Sequence, residues 1–371
     1  MTDPPYFAQM RRDDEVIARL GGDFRCPPYD PATHYLDLAS SPYYAAILAV
    51  RHYLRATTDH YFGIELGMKS IDLFMLTPSV SSPMGPGSDS EPVRVRIGDL
   101  DTNLTDSSQF GFEPLLLNHL DAVYCYLPSM RGEDPDERHL NQFFHCEAEI
   151  SGTLDDLLPQ VEGYVRVLAS TVLALPQTVE RISSDPAASR AGLERVVAAD
   201  SFPSITFDEA IEVLSTNGRD HGFRETEFGR DLTTAGERTL FELTGIVTPL
   251  WVRNYDRDRV PFYQKPDPYD QGKVLNADLL VPALAKGGFS GEIVGAGQRQ
   301  DSATEMRQSL QRQGIDPTPY HWYLRLRDLE GYRTTSGFGL GIERFLAWSL
   351  CENDIRKVIP YPRLKNVLTH P

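Results

Sequence analysis

Residues 337–345 read GFGLGIERF, and this stretch carries the strongest indication of both fold and chemistry. Its glycines alternate with Phe338 and Leu340, which predicts a strand whose backbone lies close to a ligand or to a helix. Arg344 then stands at the start of an apolar helix, where its permanently charged guanidinium is suited to a phosphate. Alone, the glycine pattern indicates only a strand near a phosphate, so other segments must supply the rest of a site.

Two strand-like runs, residues 122–131 and 141–150, are joined by a highly charged segment and predict a hairpin. Arg131 ends the first strand and Phe143 lies early in the second, so a guanidinium and an aromatic ring can project onto one surface. The connecting loop adds further polar side chains: Glu133, Arg138 and His139. An ordinary interpretation also exists, because hairpin arginines are often solvated or ion-paired and a lone phenylalanine often belongs to the core.

Two acidic residues, Asp278 and Glu292, lie inside otherwise apolar strand-like runs. A charge in such a position is costly unless it is paired or bound to a metal ion. A pair of magnesium ligands is one interpretation, and salt bridges to Arg299 or Arg344 are the other. The spacing in the sequence leaves both open.

The order of helical and strand-like patterns predicts an α+β fold built on an antiparallel sheet. Apolar residues at helical spacing cover residues 41–56 and 154–174, and strand-like runs include SIDLFMLTP (70–78) and VPFYQK (260–265). The segment 79–91 is rich in Ser, Pro and Gly and predicts a mobile loop that could serve as a lid.

The composition indicates a globular protein with an acidic balance. Lys and Arg number 36 against 53 Asp and Glu, which gives a net charge of −17. This balance disfavours a surface that must neutralise many phosphates of a long nucleic acid. No apolar run of about eighteen residues occurs, and the N-terminus has no apolar signal core, so we expect a cytoplasmic protein without a membrane partner.

In their order along the chain, these segments resemble the catalytic core of the class II aminoacyl-tRNA synthetases, in the asparaginyl and aspartyl branch. MLTPSVSSP is similar to motif 1, YLPSMRGED with RHLNQFFHCEAEI is similar to motif 2, and GFGLGIERF is similar to motif 3. The segments FGRDLTTAGERTLFE, ADLLVP and GEIVGAGQR follow the asparaginyl pattern between them. The resemblance implies an antiparallel sheet of six to seven strands flanked by helices, and a homodimer formed through motif 1.

The same resemblance implies that ATP binds with Mg²⁺ over motifs 2 and 3. It assigns ATP binding to one set of residues: Arg131, Glu133, Arg138, His139, Phe143, Gly341 and Arg344. Within this set Arg131 and Arg344 are the candidate catalytic residues, at the α-phosphate and on the γ-phosphate side. Glu133 and Phe143 would contact the adenine. Asp278 and Glu292 would hold the metal ion.

Amino-acid binding is assigned by resemblance to a second group of residues. Arg299, in the segment GQR, matches the arginine that reads the side-chain oxygen of the amino acid. The segment TDSSQF resembles the substrate-reading loop, which makes Asp106, Ser107 and Gln109 candidate contacts. Phe112 stands near the place of a lysine in aspartate-activating relatives, so the choice between aspartate and asparagine stays open.

The domain organisation predicted from this resemblance is an N-terminal extension, residues 1–39, followed by a catalytic domain, residues 40–371. A helical excursion is expected at about residues 175–240. The extension is shorter than an anticodon-binding barrel usually is, so we expect a stand-alone paralogue without that domain.

The function predicted from these observations is an AMP-forming ligase, similar to the synthetase-related asparagine synthetases. It would form an aspartyl-type adenylate and transfer the acyl group to ammonia or a small amine, giving an amide such as asparagine. One alternative is a transferase that forms asparaginyl adenylate and acts on a small molecule, peptide or carrier, and another is a non-catalytic regulatory paralogue. This prediction ranks tRNA charging below these functions and disfavours stable tRNA binding.

Overall fold

The computed structural model describes residues 4–81 and 90–370. Its α-helices are α1 Phe7–Ala18, α2 His34–Ser40, α3 Pro42–Asp59, α4 Gln109–Leu116, α5 Leu154–Leu173, α6 Pro176–Ile182, α7 Pro186–Ala198, α8 Phe207–Thr216, α9 Thr234–Thr244, α10 Ala303–Arg312, α11 His321–Arg325 and α12 Ile342–Ser349. A π-helix, His60–Glu65, continues α3. Residues 82–89 of the predicted lid loop lie outside the described residues.

The β-strands of the same residues are β1 Lys69–Ser70, β2 Leu76–Thr77, β3 Arg94–Ile97, β4 Leu100–Leu104, β5 Ala122–Met130, β6 Gln142–Ser151, β7 Ser204–Thr206, β8 Phe223–Thr226, β9 Gly229–Leu232, β10 Leu250–Arg253, β11 Asn276–Val281, β12 Gly291–Gln298 and β13 Thr335–Gly341. Short 3-10 turns lie at Asp220–Gly222, Arg257–Arg259, Thr318–Tyr320, Leu326–Asp328 and Ile355–Val358.

The largest sheet in the described part of the chain has eight strands, in the order β1, β5, β6, β13, β12, β11, β10, β7. Neighbours from β5 to β10 pair antiparallel, whereas β1 and β7 add to the two edges in parallel. The predicted α+β class is therefore confirmed, but the purely antiparallel sheet of six to seven strands is wrong at its edges. The two edge strands have two and three residues, too few to carry an alternating pattern in the sequence.

The predicted helices α3 and α5 cover one face of this sheet. Leu54 of α3 and Leu168 of α5 are fully buried in the main hydrophobic cluster, together with Phe338 of β13. Burying one such side chain stabilises the fold by about 1.5–3 kcal/mol. The first turn of α5 is fixed by a capping box, in which Thr153 and Asp156 exchange hydrogen bonds. With this face closed by helices, the opposite face of the sheet remains for a site.

Two of the predicted strands are mostly absent from the structure. The run at residues 70–78 pairs only at its two ends, in β1 and β2. The run at residues 260–265 forms an isolated bridge between Gln264 and Arg299. Its aromatic residues, Phe262 and Tyr263, are buried in a cluster with Phe110 and Tyr323 instead. Their apolar character therefore reflects aromatic packing, which an alternating pattern cannot distinguish from a strand.

Helix α1 is attached to the rest of the molecule by both apolar and polar contacts. Met10 and Ile17 lie in the main hydrophobic cluster, and the Asp14 carboxylate accepts hydrogen bonds from the backbone N–H groups of Gln177 and Thr178 at the start of α6. The domain boundary at residue 40 and the helical excursion stay predictions. None of the helices in the described ranges has the length and apolar character needed to span a lipid bilayer.

Candidate active site

A cavity of about 110 Å³ opens between the β5–β6 hairpin and the β12–β13 pair. Its lining comes from motif 2, motif 3 and nearby strands: Arg131, Glu133, Arg138, His139, Leu140, Phe143, His145, Glu292, Ile293, Gly339, Gly341, Glu343, Arg344 and Ile355. Every residue predicted to bind ATP lies in this lining. The structure thus brings together side chains that are more than two hundred positions apart in the sequence, while their individual roles stay predictions.

The floor of the site is formed by the glycines of β13. Gly337, Gly339 and Gly341 pair with Glu149, Glu147 and His145 of β6, respectively. The side chains of these three β6 residues therefore lie beside positions of β13 that have no side chain. A Cβ atom on Gly337 would overlap the carboxylate of Glu149 and the guanidinium of Arg299. On Gly341 the same atom would meet only the aliphatic part of Arg344, at ordinary contact distances of 3.6–3.7 Å. At Gly337, the absence of a side chain therefore allows Glu149 and Arg299 to lie directly against the backbone of β13.

Cationic groups concentrate at one end of this floor. The Arg131 guanidinium lies 5.3 Å from the centre of the Phe143 ring, and its buried Nε has no hydrogen-bond partner among the described residues. Nη2 of Arg344 lies 3.4 Å from Nε2 of His139. Burial lowers the pKa of His145 well below its usual value, and Arg131 and Arg344 lower it further, so this imidazole is neutral. These groups suit the negative charge of a polyphosphate.

The arginines at this end are held by carboxylates. Nη1 of Arg344 donates to Oε2 of Glu292 at 2.9 Å, and Nη2 of Arg138 donates to Oε2 of Glu237 at 2.9 Å. Glu237 belongs to α9, which contributes to this end of the site from a distant part of the chain. Of the two interpretations of Glu292, the salt bridge to Arg344 is therefore present in the structure.

Asp278 and Glu292 come from the neighbouring strands β11 and β12 and converge over Gly295. A Cβ built on Gly295 would lie 3.3 Å from Oε1 of Glu292 and 3.6 Å from Oδ1 of Asp278. Burial and the nearby charge of Glu292 raise the pKa of Asp278 well above its usual value, although a hydrogen bond with Tyr255 opposes the shift. Two carboxylates that repel each other across a small space fit a divalent cation.

A site made only of protein ligands is not formed by these carboxylates. Among the described residues, no group of three or more His, Cys, Asp or Glu side chains is placed to hold a metal ion. Mg²⁺ is usually held by one or two carboxylates together with water and substrate phosphates. Asp278 and Glu292 beside the cationic cavity fit that kind of site.

The other end of the floor is built around Arg299, which is buried. Its Nε donates to Oε1 of Glu149 at 3.0 Å, and its Nη2 donates to Oε2 of Glu149 at 2.8 Å and to the side-chain oxygen of Gln109. The ring of Tyr263 lies 5.3 Å from the guanidinium carbon. The predicted contacts Arg299 and Gln109 are thus brought together directly.

The TDSSQF loop lies beside Arg299 and is also buried. Ser107 Oγ donates to Oε1 of Glu147 at 2.5 Å, and the Ser108 backbone N–H donates to Oε2 at 2.7 Å. The Asp106 carboxylate accepts hydrogen bonds from the backbone N–H and the hydroxyl of Ser81, each at 3.0 Å. Phe112, in contrast, is fully buried in a separate cluster of apolar side chains.

The sequence prediction missed several residues of the site. His145, Glu147 and Glu149 lie on the same face of β6 as Phe143, at alternate positions in FFHCEAEI, and this alternation could have identified them. Glu237 was also missed. It lies in the segment FGRDLTTAGERTLFE, which follows the asparaginyl pattern, but its ion pair with Arg138 joins residues 99 positions apart and was not predicted.

The sequence comparison agrees with this geometry. A family model described as tRNA synthetases class II (D, K and N) matches residues 29–365, so the chain belongs to this family of class II synthetases. The predicted resemblance is confirmed. More narrowly, the chain is 34% identical to the asparagine–tRNA ligases of Thermococcus gammatolerans and Pyrococcus abyssi, over 73% and 70% of its own length. It spans 59% and 56% of the length of those two proteins.

Solved structures similar to this chain include asparaginyl-tRNA synthetases. The asparaginyl-tRNA synthetase from Pyrococcus horikoshii complexed with asparaginyl-adenylate has a TM-score of 0.79 and 29% identity, covering 92% of this chain and 74% of that one. The asparaginyl-tRNA synthetase of Entamoeba histolytica, at 23% identity and a TM-score of 0.75, shares the fold; the match covers 99% of this chain and 76% of that one. The predicted AMP-forming ligase is the class of enzyme to which these relatives belong.

The predicted acceptor is wrong. We expected an amide-forming ligase and ranked tRNA charging below it, but the curated relatives at 34% identity are asparagine–tRNA ligases. The expectation that stable tRNA binding is disfavoured is wrong for the same reason. A net charge of −17 is summed over the whole chain, and it does not exclude a local surface that binds a nucleic acid.

Proposed function

We propose that the chain activates asparagine with ATP and transfers the asparaginyl group to tRNA. The observation that carries this proposal is the pairing of two sites on one glycine floor. An arginine-lined cavity lies at one end, and the buried Arg299–Glu149–Gln109 group lies at the other. An adenylating enzyme needs its carboxylate substrate and the α-phosphate of ATP in contact, and adjoining sites meet that need.

In the first step, an oxygen of the asparagine α-carboxylate attacks the α-phosphorus of ATP. The bond to the bridging oxygen breaks, and pyrophosphate leaves. Arg131 would hold the α-phosphate and the attacking carboxylate, since its Nε lacks a partner among the described residues and its side chain lies at the Phe143 ring. Arg344, Arg138 and His139 would stabilise the charge that develops on the leaving pyrophosphate.

Glu133 and Phe143 would contact the adenine, and the Phe143 ring offers it a flat apolar surface. Asp278 and Glu292 would hold Mg²⁺, which neutralises phosphate charge when bound. Arg344 and Arg138 each use one nitrogen for the ion pair with Glu292 or Glu237, which leaves other N–H groups of each guanidinium for a phosphate.

Asparagine is favoured over aspartate by the groups around Arg299. A carboxamide presents one oxygen acceptor and one N–H donor group, which match the guanidinium of Arg299 and the carboxylate of Glu149. The second carboxylate of aspartate would instead face Glu149 in a buried pocket, where like charges repel strongly. Glu147 and Asp106 add negative charge nearby, which suits the α-ammonium group of the amino acid.

Pyrophosphate exchange with asparagine and with aspartate, measured separately, tests the activation step. We expect exchange with asparagine and at least ~100-fold weaker exchange with aspartate, because buried polar groups left unpaired discriminate by factors of this order or more. No exchange with asparagine would contradict the proposal.

Charging of tRNA with labelled asparagine tests the transfer step separately. Attachment of asparagine to the 3′ end of its tRNA is the expected result. Exchange without any charging would refute the transfer to tRNA while leaving the activation step in place.

A further inference from the structure

A fully buried ion pair lies one layer behind the amino-acid end of the site. Glu113 of α4 and Arg327 are each 1% exposed at the side chain, and their charged groups are 2.7 Å apart. Arg327 contacts Oε2 of Glu113, and the Tyr332 hydroxyl lies 3.3 Å from the same oxygen. The Tyr323 hydroxyl donates to Oε1 of Glu113. The site described above uses none of these groups.

This pair joins the two elements that carry the amino-acid contacts. Glu113 is one helical turn after Gln109 on α4, so both side chains lie on the same side of that helix. Nε of Arg327 donates to the backbone carbonyl of Gln300 at 2.9 Å, and Gln300 directly follows Arg299 in the chain. Glu113 and Arg327 therefore connect the backbone next to Arg299 with the helix that holds Gln109.

Stability alone is a weak reason for such a pair. Two charges lose their hydration when they are buried, and replacing them by apolar side chains of similar volume is often neutral or stabilising. What apolar side chains cannot supply is the directed bond from Arg327 to the Gln300 carbonyl, or the three donors that converge on Glu113. Such bonds fix distances that general packing leaves free to vary.

We propose that Glu113 and Arg327 are positioning residues that set the separation of Gln109 and Arg299 and thereby control the affinity for asparagine. This inference rests on the proposed function, because it assumes that Gln109 and Arg299 contact the amino acid. Neither residue of the pair lines the cavity at the ATP end, so the two substrates are affected differently.

The test compares KM values in pyrophosphate exchange with the full chain. Glu113→Gln is expected to raise the KM for asparagine about tenfold or more while the KM for ATP stays within about twofold, since small displacements of positioned groups cost this much. An unchanged KM for asparagine, or equal rises for both substrates, would overturn the positioning role. Absence of exchange in the wild-type chain would instead refute the proposed function.

Two further variants separate positioning from stability. Glu162→Gln is the control, because it removes the charge from another partly buried ion pair, formed on α5 by Glu162 and Arg166 at 2.8 Å. We expect this variant to have lower thermal stability and unchanged KM values. In Glu113→Leu/Arg327→Met the charges are replaced by apolar groups. We expect this variant to regain thermal stability but to keep the raised KM for asparagine, and recovery of both would show that the pair is only structural.

Should this variant not fold, Tyr332→Phe decides, since it keeps the ion pair and is expected to raise the same KM by a smaller factor.

Discussion

In the function proposed above, the protonation of the Glu149 carboxyl group would decide what the amino-acid pocket can accept. Burial raises its pKa to about 7, and the neighbouring Arg299 opposes this shift. The charged form accepts hydrogen bonds from a carboxamide, whereas the protonated form presents a donor and removes a negative charge from the pocket. In the proposed site, a pKa in this range would place both forms of Glu149 near neutral pH, with different preferences for an amide and an acid.

We predict that the KM for asparagine falls as the pH rises through about 7, because deprotonation of Glu149 supplies the acceptor for the amide N–H groups. Discrimination against aspartate should improve over the same range. Pyrophosphate exchange at a series of pH values measures both. Glu149→Gln should lose this dependence, and a pH profile that the variant shares with the wild type would show that another group titrates.

Arg344 is predicted to be required for adenylate formation. Arg344→Ala removes a cation from the side of the leaving pyrophosphate and should lower kcat/KM in exchange by about 100-fold or more, as is usual for the loss of one preorganised charge-stabilising group. The fold should persist by circular dichroism. Arg224→Ala, on the exposed β8–β9 hairpin, is the matched control, and wild-type exchange in Arg344→Ala would refute the assignment of motif 3.

The glycines of the floor are predicted to differ in what they protect. Gly337→Ala places a methyl group on the Glu149–Arg299 pair, so we expect a large rise in the KM for asparagine with a smaller effect on ATP. Gly341→Ala meets no protein atom closer than 3.6 Å but lines the nucleotide cavity, so it should leave the KM for asparagine nearly unchanged and raise the KM for ATP instead. The contrast between the two variants, measured in one exchange assay, is the decisive result.

At the level of elements, long segments with a strong period were predictable from the sequence. Helix α5 has apolar residues at helical spacing and a capping box at its start, and the β5–β6 hairpin alternates on either side of a charged turn. The edge strands β1 and β7 were not predictable, because two or three residues have no period.

In the site, motif residues were found by resemblance, whereas Glu237 depends on a tertiary contact with Arg138, 99 positions away in the sequence.

The capping box of α5 leads to a prediction about stability. Thr153→Ala removes the acceptor for the Asp156 backbone N–H and should lower the free energy of unfolding by about 1 kcal/mol. Thr153→Ser keeps the cap and should stay close to the wild type. Denaturant unfolding measures the difference, and equal losses in both variants would mean that the methyl group of Thr153, not its hydroxyl, matters.

At the level of the whole molecule, we propose that two copies associate through helix α3 and strand β2, which lies in the motif 1 segment. Exposed apolar side chains on these elements and on the π-helix support this proposal: Leu48 is 48% exposed, Ile64 73% and Leu76 39%. Such side chains tend to mark protein interfaces when they occur together. A homodimer with the same surface on both copies is the simplest arrangement.

Sedimentation velocity tests this association. The wild-type chain is expected to sediment as a dimer, and Leu48→Glu should shift it toward the monomer, because a buried unpaired charge is costly at an interface. Val247→Glu introduces the same charge at an exposed apolar position after α9 and should leave the dimer intact. A monomeric wild type, or equal shifts in both variants, would contradict an interface at motif 1.

The glycine floor of β13 has a consequence for how substrate preference can change. Because Gly337, Gly339 and Gly341 offer only backbone to the site, each substrate would be recognised by a separate wall of side chains: those lining the arginine cavity at the nucleotide end, and Gln109, Glu149 and Arg299 at the amino-acid end. Substitutions in one wall need not disturb the other. A descendant of this protein could therefore acquire a new amino-acid substrate by changes around Arg299 while its nucleotide chemistry stayed intact.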